Sequence, residues 1–310
     1  QWEAEDNQSL ENRGQRALTI NRIKPALDWI LGTEKRIRID GRVLPRTADD
    51  SQGAEVKTKL MKYISDVNMS PFHRSRAFSD SAISGLGWLE LGLRDDPEEE
   101  PIYYRYEDWR NMWYDPFAVE LDLSDARYIF RRKEVDLDIA VAMFPEHAAS
   151  LRAAAIKYGE SHGDSTAYGI DHDDGTRDEN DDRDTLSHRS RVSLVECWYV
   201  LPEKRTMITG EGLGTLASRV YREDNEHMKA LVEKGYASTF DALRKVVRCM
   251  MFAEGMNHPL QDAESPYTHN RIPFVPVWAY RRKKGAEPYG VVRNQVDIQD
   301  DLNKRHSKAL

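Results

Sequence analysis

Residues 271–310 read RIPFVPVWAYRRKKGAEPYGVVRNQVDIQDDLNKRHSKAL. This stretch decides the fold reading because its pattern changes twice. An apolar run, residues 272–280, carries Pro273 and Pro276 and reads as a strand. A basic turn with one glycine follows at residues 281–285. From about Gly290 the pattern becomes helical, with Val292, Val296, Gln299 and Leu302 three or four apart as one stripe, a thin apolar one that Gln299 interrupts. Pro288 stands near the entry, where a missing N–H costs least. Asp297, Asp300 and Asp301 precede Lys304, Arg305 and Lys308, an order that complements the helix dipole. No glycine, proline or cap follows, so the reading expects the front part of a longer chain, cut inside a helix.

Composition bounds the rest. At 310 residues, with 40% apolar and 32% charged residues, the chain has room for one large or two ordinary cores under a heavily charged surface. It carries no apolar run of about eighteen residues, so no helical span and no membrane partner is expected. The opening QWEAEDNQSLE is acidic and polar, unlike a signal peptide. Two distant cysteines, Cys197 and Cys249, fit a reducing cytoplasmic origin and lack metal-ligand spacing. A protein that grips duplex DNA by neutralising phosphates is basic, whereas this chain has a formal net charge of −8.

Taken in order, residues 18–31 predict a helix with Ile20, Ile23, Leu27, Ile30 and Leu31 on one side, closed by Gly32. A short strand over residues 35–40 follows, ending at an Asp40-Gly41 turn. A second helix, residues 54–67, places Val56, Leu60, Tyr63, Ile64 and Val67 on one side, with Asp49, Asp50 and Ser51 as cap candidates. A third, residues 71–85, starts at Pro71 with Ser70 as its cap. Gly85-Leu86-Gly87 ends it and feeds a strand, residues 88–93. A dinucleotide fingerprint has the reverse order, strand before helix. An acidic hairpin loop at 95–101 returns into a strand at 102–106. Turns at Asp115-Pro116 and Ser124-Asp125 precede a strand over 126–133. Short helices follow at 137–144 and 146–158.

Residues 159–190 are polar, acidic and aromatic-poor, which predicts a mobile solvated loop. A buried strand over 192–201 is expected to turn at Glu203-Lys204 and return over 206–209 as a hairpin. A helix at 223–234, a strand at 243–253 and a loop at 256–270 complete the chain. The class is therefore α+β, mixed helical and antiparallel β.

Chemistry is sparse. Asp115, Asp122 and Asp125 could be taken for metal ligands or an acid/base pair. No histidine or cysteine stands at ligand spacing beside them, so turn and cap roles read better. In the run Asp171-His172-Asp173-Asp174-Gly175 the glycine falls at the fifth position, not the sixth that a calcium loop needs. Glu211 to Gly214 lacks a P-loop's context. No catalytic residue, metal ligand or cofactor site is assigned. Two other classes remain open: a carboxylate, metal-dependent nuclease, and a generic capsid or tail scaffold protein.

Three stretches carry a family resemblance. The first holds Ile272, Pro273, Val275 and Pro276, then Gly290 and Arg293, then Gln299, Asp300, Asn303, Lys304, Ser307, Lys308 and Leu310. The second holds Ala77, Phe78, Asp80 and residues 85–91. The third holds Trp109, Trp113, Tyr114, Asp115, Pro116, Asp122, Asp125, Ala126, Arg127 and Tyr128. Together they resemble the portal proteins of short-tailed, headful-packaging phages. The segment TINRIKPALDWILGTE, residues 19–34, is similar to that family's opening. The resemblance implies a wing domain over residues 1–270, then a strand and the first stem helix over 271–310, truncated before the clip. It implies a structural virion protein at the portal vertex of the capsid, assembled in the host cytoplasm. It implies a homo-oligomeric ring, typically of twelve subunits. Terminase, tail adaptor, scaffolding and capsid proteins would dock on it, and double-stranded DNA would pass through its channel with weak contact. On the helix over residues 290–310, Arg293, Asp297, Asp300, Asp301, Lys304, Arg305 and Lys308 are the candidate subunit-interface residues.

Overall fold

The computed structural model describes residues 8–9, 11–14, 20–37, 41–94, 96–161, 190–210, 219–221, 225–267, 269–282 and 287–309. The chain forms two compact units. Unit 1 takes Gln1–Asp125 and Pro273–Leu310, and unit 2 takes Ala126–Ile272. In chain order, unit 1 opens with α1 (Ile23–Arg36), α2 (Ser51–Val67), α3 (Ser70–Ser84), β1 (Leu86–Leu93), β2 (Ile102–Glu107) and β3 (Met112–Tyr114). Unit 2 follows with β4 (Tyr128–Asp136), α4 (Leu137–Met143), α5 (Ala148–Ser161), β5 (Arg191–Thr209), α6 (Glu226–Glu233), β6 (Ser238–Ala253) and β7 (Gln261–Glu264). The chain then re-enters unit 1 as β8 (Phe274–Trp278), β9 (Tyr280–Arg281), β10 (Pro288–Tyr289) and α7 (Arg293–Ala309). The α+β class read from the sequence is the class observed.

Unit 1 is built on a three-stranded antiparallel sheet in the order β2-β1-β8. The central strand β1 reads LGWLELGL and is buried over most of its length. Its Trp88 stands opposite Glu107 on one neighbour and Pro276 on the other. Pro276 has no N–H to give, and an edge strand is where a sheet tolerates that. Helix α3 lies against β1 so closely that a Cβ at Gly87 would overlap the Ala77 carbonyl oxygen. The helix begins after Met69, which adopts a left-handed φ of 49°, so Met69 rather than Ser70 holds the capping position. It ends at Gly85, whose φ of 104° favours glycine and whose N–H closes on the Ser81 carbonyl.

Helix α1 runs on past the expected stop. Gly32 lies inside it with open space around its Cα, and Lys35 and Arg36 form its last turn. Their charges favour that end of the dipole. The strand expected over 35–40 is therefore helical at its start, and residues 38–40 lie outside the described residues. Asn21 accepts the Lys24 N–H at 3.0 Å at the helix entry. In α2, Asp50 occupies the capping position, but its carboxylate accepts the Thr47 hydroxyl instead of a helix N–H. Of the face expected to be buried, Val56, Leu60, Tyr63 and Val67 are exposed and Ile64 is half-buried.

Unit 2 carries the antiparallel order β4-β5-β6-β7. The hairpin expected within 192–209 is absent. Strand β5 runs straight through Pro202, Glu203 and Lys204, and pairs with β6 from Leu194↔Ala253 to Thr209↔Ser238. Beyond Tyr199 the β4 register has ended, so Pro202 sits on an open edge where no partner needs its N–H. The loop expected over 256–270 contains β7. At one end of the sheet α4 and α5 cover a core of Ala140, Leu151, Ala155, Val192, Leu194, Ala253 and Leu260. At the other end α6 covers Ile208 through Met228, and Ala237, just after the helix, joins the same cluster. Asn225 caps α6 by accepting the Met228 N–H. Midway, Arg131 stands opposite Glu196 and binds it with contacts of 2.6, 2.7 and 3.1 Å, while the Trp198 indole donates to the same carboxylate. A buried pair of this geometry is costly to break on one side only. The polar segment 159–190 falls almost entirely outside the described residues, as does Glu211 to Gly214.

Two measurements test this account of unit 1. Gly87→Ala should destabilise the chain by about 1–3 kcal/mol, because β1 must move off α3. Gly32→Ala, in open space inside a helix, should stabilise it by about 0.5–1 kcal/mol. Denaturant titration of both variants distinguishes them by sign.

The second concerns Asp80 on α3, which accepts the Tyr106 hydroxyl at 2.6 Å. Burial pushes its carboxyl up from 3.8 to about 6, against the opposing effect of that hydrogen bond, and burial also raises the Tyr106 hydroxyl. Between about pH 4 and 6 the folded chain holds a proton here that the unfolded chain has released. Asp80 therefore contributes fully below its ordinary value and loses that contribution as pH rises through about 6. In thermal melts the wild-type chain should lose stability relative to Asp80→Asn across this window. Parallel curves would exclude the effect.

Candidate functional site

The site is built around α7 and the segment that delivers it. Leaving β8, the chain is bound to the end of α3 at two points. The Ala279 N–H donates to the Gly85 carbonyl at 3.0 Å, and the Val291 N–H donates to the Ala82 carbonyl at 2.8 Å. The second bond uses a carbonyl from the last turn of α3, a group that a helix end leaves without an internal partner. Between the two points β9 and β10 pair, with Tyr280 stacked on Tyr289 at 5.3 Å. Gly290 is where the two backbones meet, since a Cβ there would overlap the Ala82 and Ile83 carbonyls. Pro288 lies in β10, not in the first turn of the helix, which starts at Arg293.

The helix is two-faced, but its inner face is not the apolar stripe read from the sequence. Val296 is exposed, Val292 and Leu302 are half-buried, and Ile298 is exposed. The inward ridge is polar: Gln295 and Gln299 half-buried, Asn303 and Ser307 buried. These stand at intervals of four and so share a face. Asn303 accepts the Ile20 N–H at 3.1 Å, and Gln299 accepts the Arg22 N–H at 2.8 Å. The Gln299 amide donates to the Ile20 carbonyl and, at 3.0 Å, to Asn303. Two amide side chains thus serve as the hydrogen-bonding partner of the backbone leading into α1. Sequence reasoning read Gln299 as a gap in a hydrophobic stripe. The spacing Gln295-Gln299-Asn303-Ser307 was the available signal for a polar face.

The outer face carries the predicted interface residues. Arg293, Asp297, Asp300, Asp301, Lys304 and Arg305 are all exposed on one stripe, with acids in the middle and bases toward the end. Lys308 belongs to the helix, and its side chain lies outside the description. Arg305 pairs with Asp301 at 2.9 Å, one turn away. The Arg293 guanidinium lies 6.0 Å from the Tyr289 ring centre.

The three carboxylates weighed as ligands do other work. Asp115 accepts the Phe117 N–H at 3.0 Å, and Asp122 accepts the Ser124 N–H at 3.1 Å. Asp125 accepts the Val119 N–H at 2.6 Å and the Glu120 N–H at 3.3 Å. The Val119 bond holds the Asp125 carboxyl below the usual range. Each closes a turn of its own loop. Among the described residues no three histidine, cysteine or acidic side chains gather where they could hold a metal ion. The run Asp171 to Gly175, with His162, His172 and His188, lies outside the described residues. Both thiols are raised by burial, Cys197 to about 11 and Cys249 to about 12, which makes them poor nucleophiles.

A family model described as "Phage P22-like portal protein" matches residues 1–310, the length of the sequence. The chain belongs to the P22-like portal family. No individual curated protein matches it. The portal family is structural: its members are bacteriophage head–tail connector proteins, acting as oligomeric rings at the capsid vertex. In this portal chain the motif glycines, Gly85, Gly87 and Gly290, mark where backbones touch. The motif residues Gln299, Asn303 and Ser307 form the inward ridge of α7.

Asn303→Ala should therefore release the segment before α1. Stability is expected to fall by about 1–3 kcal/mol, the cost of leaving a part-buried backbone N–H without its acceptor. Hydrogen exchange at the Ile20 amide should accelerate. Unchanged exchange there would show that the ridge does not hold this segment.

Proposed function

We propose that this portal chain is one subunit of a ring of about twelve copies through which viral DNA is packaged and later ejected, without a catalytic step of its own. In this reading residues 1–270 form the wing and residues 271–310 lead into the stem. Terminase, tail adaptor, scaffolding and capsid proteins dock on the assembled ring, which forms in the host cytoplasm. DNA passes with weak, non-specific contact. The net charge of −8 supports this, since a lining that bound phosphates tightly would oppose translocation.

The observation that carries the reading is the division of labour on α7. Its polar ridge is engaged by its own chain through Gln299 and Asn303. Its charged face is exposed, and among the described residues only Asp301 and Arg305 form an ion pair on it. A face with acids in its middle and bases toward its end suits a tilted copy of itself, and a ring needs two different patches meeting head to tail. Each exposed pair contributes only about 0.2–1 kcal/mol, so many identical interfaces must act together.

The test is Lys304→Glu with Lys308→Glu in the intact portal protein. Rings should dissociate more readily in sedimentation, most at low salt, where screening is weakest. Rings of unchanged size and stability, on a subunit that still melts normally, would remove α7 from the interface.

A further inference from the structure

Residues 117–122 read FAVELD and form a loop with bare apolar side chains. Phe117 is 86% exposed, Val119 75% and Leu121 63%. The loop backbone is nevertheless fixed from several sides. Asp115 and Asp125 accept its N–H groups at Phe117, Val119 and Glu120. The Trp278 indole donates to the Leu121 carbonyl at 2.7 Å, and the Arg281 guanidinium donates to the Ala118 and Val119 carbonyls. With its backbone held, the loop presents apolar side chains whose ordering cost is already met, the condition under which an exposed surface binds well.

The same unit carries a groove of about 550 Å³ against α1, α3 and the sheet. Its wall is mostly apolar, with Trp29, Ile30, Phe78, Leu89 and Val277, and its acid Glu34 accepts the Ser75 hydroxyl. Arg74 borders it, with an Nε that is buried and has no acceptor among the described residues. Lys35 and Arg36 are exposed at the end of α1 nearby in sequence to the lining residues Glu34 and Ile37. The loop matches this in both respects, since Glu120 and Asp122 alternate with its apolar residues and are exposed.

The two features also lie on opposite faces of one sheet. Successive residues of a strand point to opposite faces. Val277 lines the groove while Trp278, its neighbour in β8, braces the loop. In the same way Leu89 lines the groove, while Trp88 packs on Tyr114, which packs on Trp278. A projecting patch on one face and a recess on the other is the arrangement that lets copies join head to tail.

We propose that the loop of residues 117–122 of one portal subunit seats in the Trp29–Phe78 groove of the next copy, as a second contact around the ring. This rests on the ring reading above, but not on α7. The test is a pair of cysteine variants at exposed positions of the intact protein, Phe117→Cys and Trp29→Cys. Chains carrying one are mixed with chains carrying the other, assembled and treated with a mild oxidant. Disulfide-linked pairs should form in the mixture at least tenfold above either variant alone, and the double variant should give a ladder of linked multimers. In parallel, Phe117→Ser with Val119→Ser should raise the concentration at which rings dissociate at least tenfold, with an unchanged melting temperature of the subunit. Rings that form normally but give no excess linkage in the mixture would overturn this contact and leave the ring reading standing. A wild-type protein that forms no ring would overturn both.

Discussion

Unit 1 depends on three places where backbone meets backbone with no side chain between. At Gly87 the central strand touches the Ala77 carbonyl of α3. At Gly85 and Gly290 the end of α3 touches the segment that becomes α7. These contacts exclude a Cβ, and they bring hydrogen-bonding groups within reach of one another. The Val291 N–H meets Ala82, and the Ala279 N–H meets Gly85. The helix end, whose carbonyls would otherwise need water, becomes the anchor for a second helix. The direction of α7 is thus set by main-chain geometry at its root.

This explains what could be read in advance and what could not. Local signals were reliable where they acted locally. Pro71 and Gly85 bounded α3 to within a residue, and the strand expected from 88 to 93 is β1, which begins two residues earlier. The carboxylates at 115 and 122 were read as turn formers and each accepts the N–H two residues on, while Asp125 reaches back five and six residues within the same loop; none needs a distant partner. The failures involved distant partners. Glu203-Lys204 has the composition of a turn, but β6 offers a partner along the whole of β5 and keeps it straight. Gly32 has the composition of a stop, yet α1 continues, since nothing crowds or unwinds it there. Gln299 looked like a flaw in an apolar stripe because its partner is Ile20, at the other end of the sequence.

The exposure of Arg293, Asp297, Asp300, Asp301, Lys304 and Arg305 on α7 was legible for a related reason. Exposed charges make few demands on the fold, so their placement follows from helical period alone once the helix is known. The loop of residues 117–122 was not legible as a surface. Its apolar residues look like core in a one-dimensional reading. Donors from Trp278 and Arg281, some 160 residues away, help the local aspartates to hold the backbone while the side chains stay exposed. In a family whose members are connectors, exposed surfaces are where partners meet.

The interruption of unit 1 has a consequence for how the chain is made. Strand β1 is complete at Leu93, but its partner β8 begins at Phe274. A ribosome adding about 5–20 residues per second needs roughly 10–35 s to cover that interval. Throughout it, one edge of β1, with Trp88 and Leu89 upon it, has no strand to pair with. Unit 2 is continuous and can close in the meantime. The nascent portal chain therefore passes through a state in which its later-synthesised half is finished and its first half is open. Such an edge invites pairing with another nascent chain. The return of residues 274–291 to α3 and β1 is a closure across nearly two hundred residues, which topology makes slow.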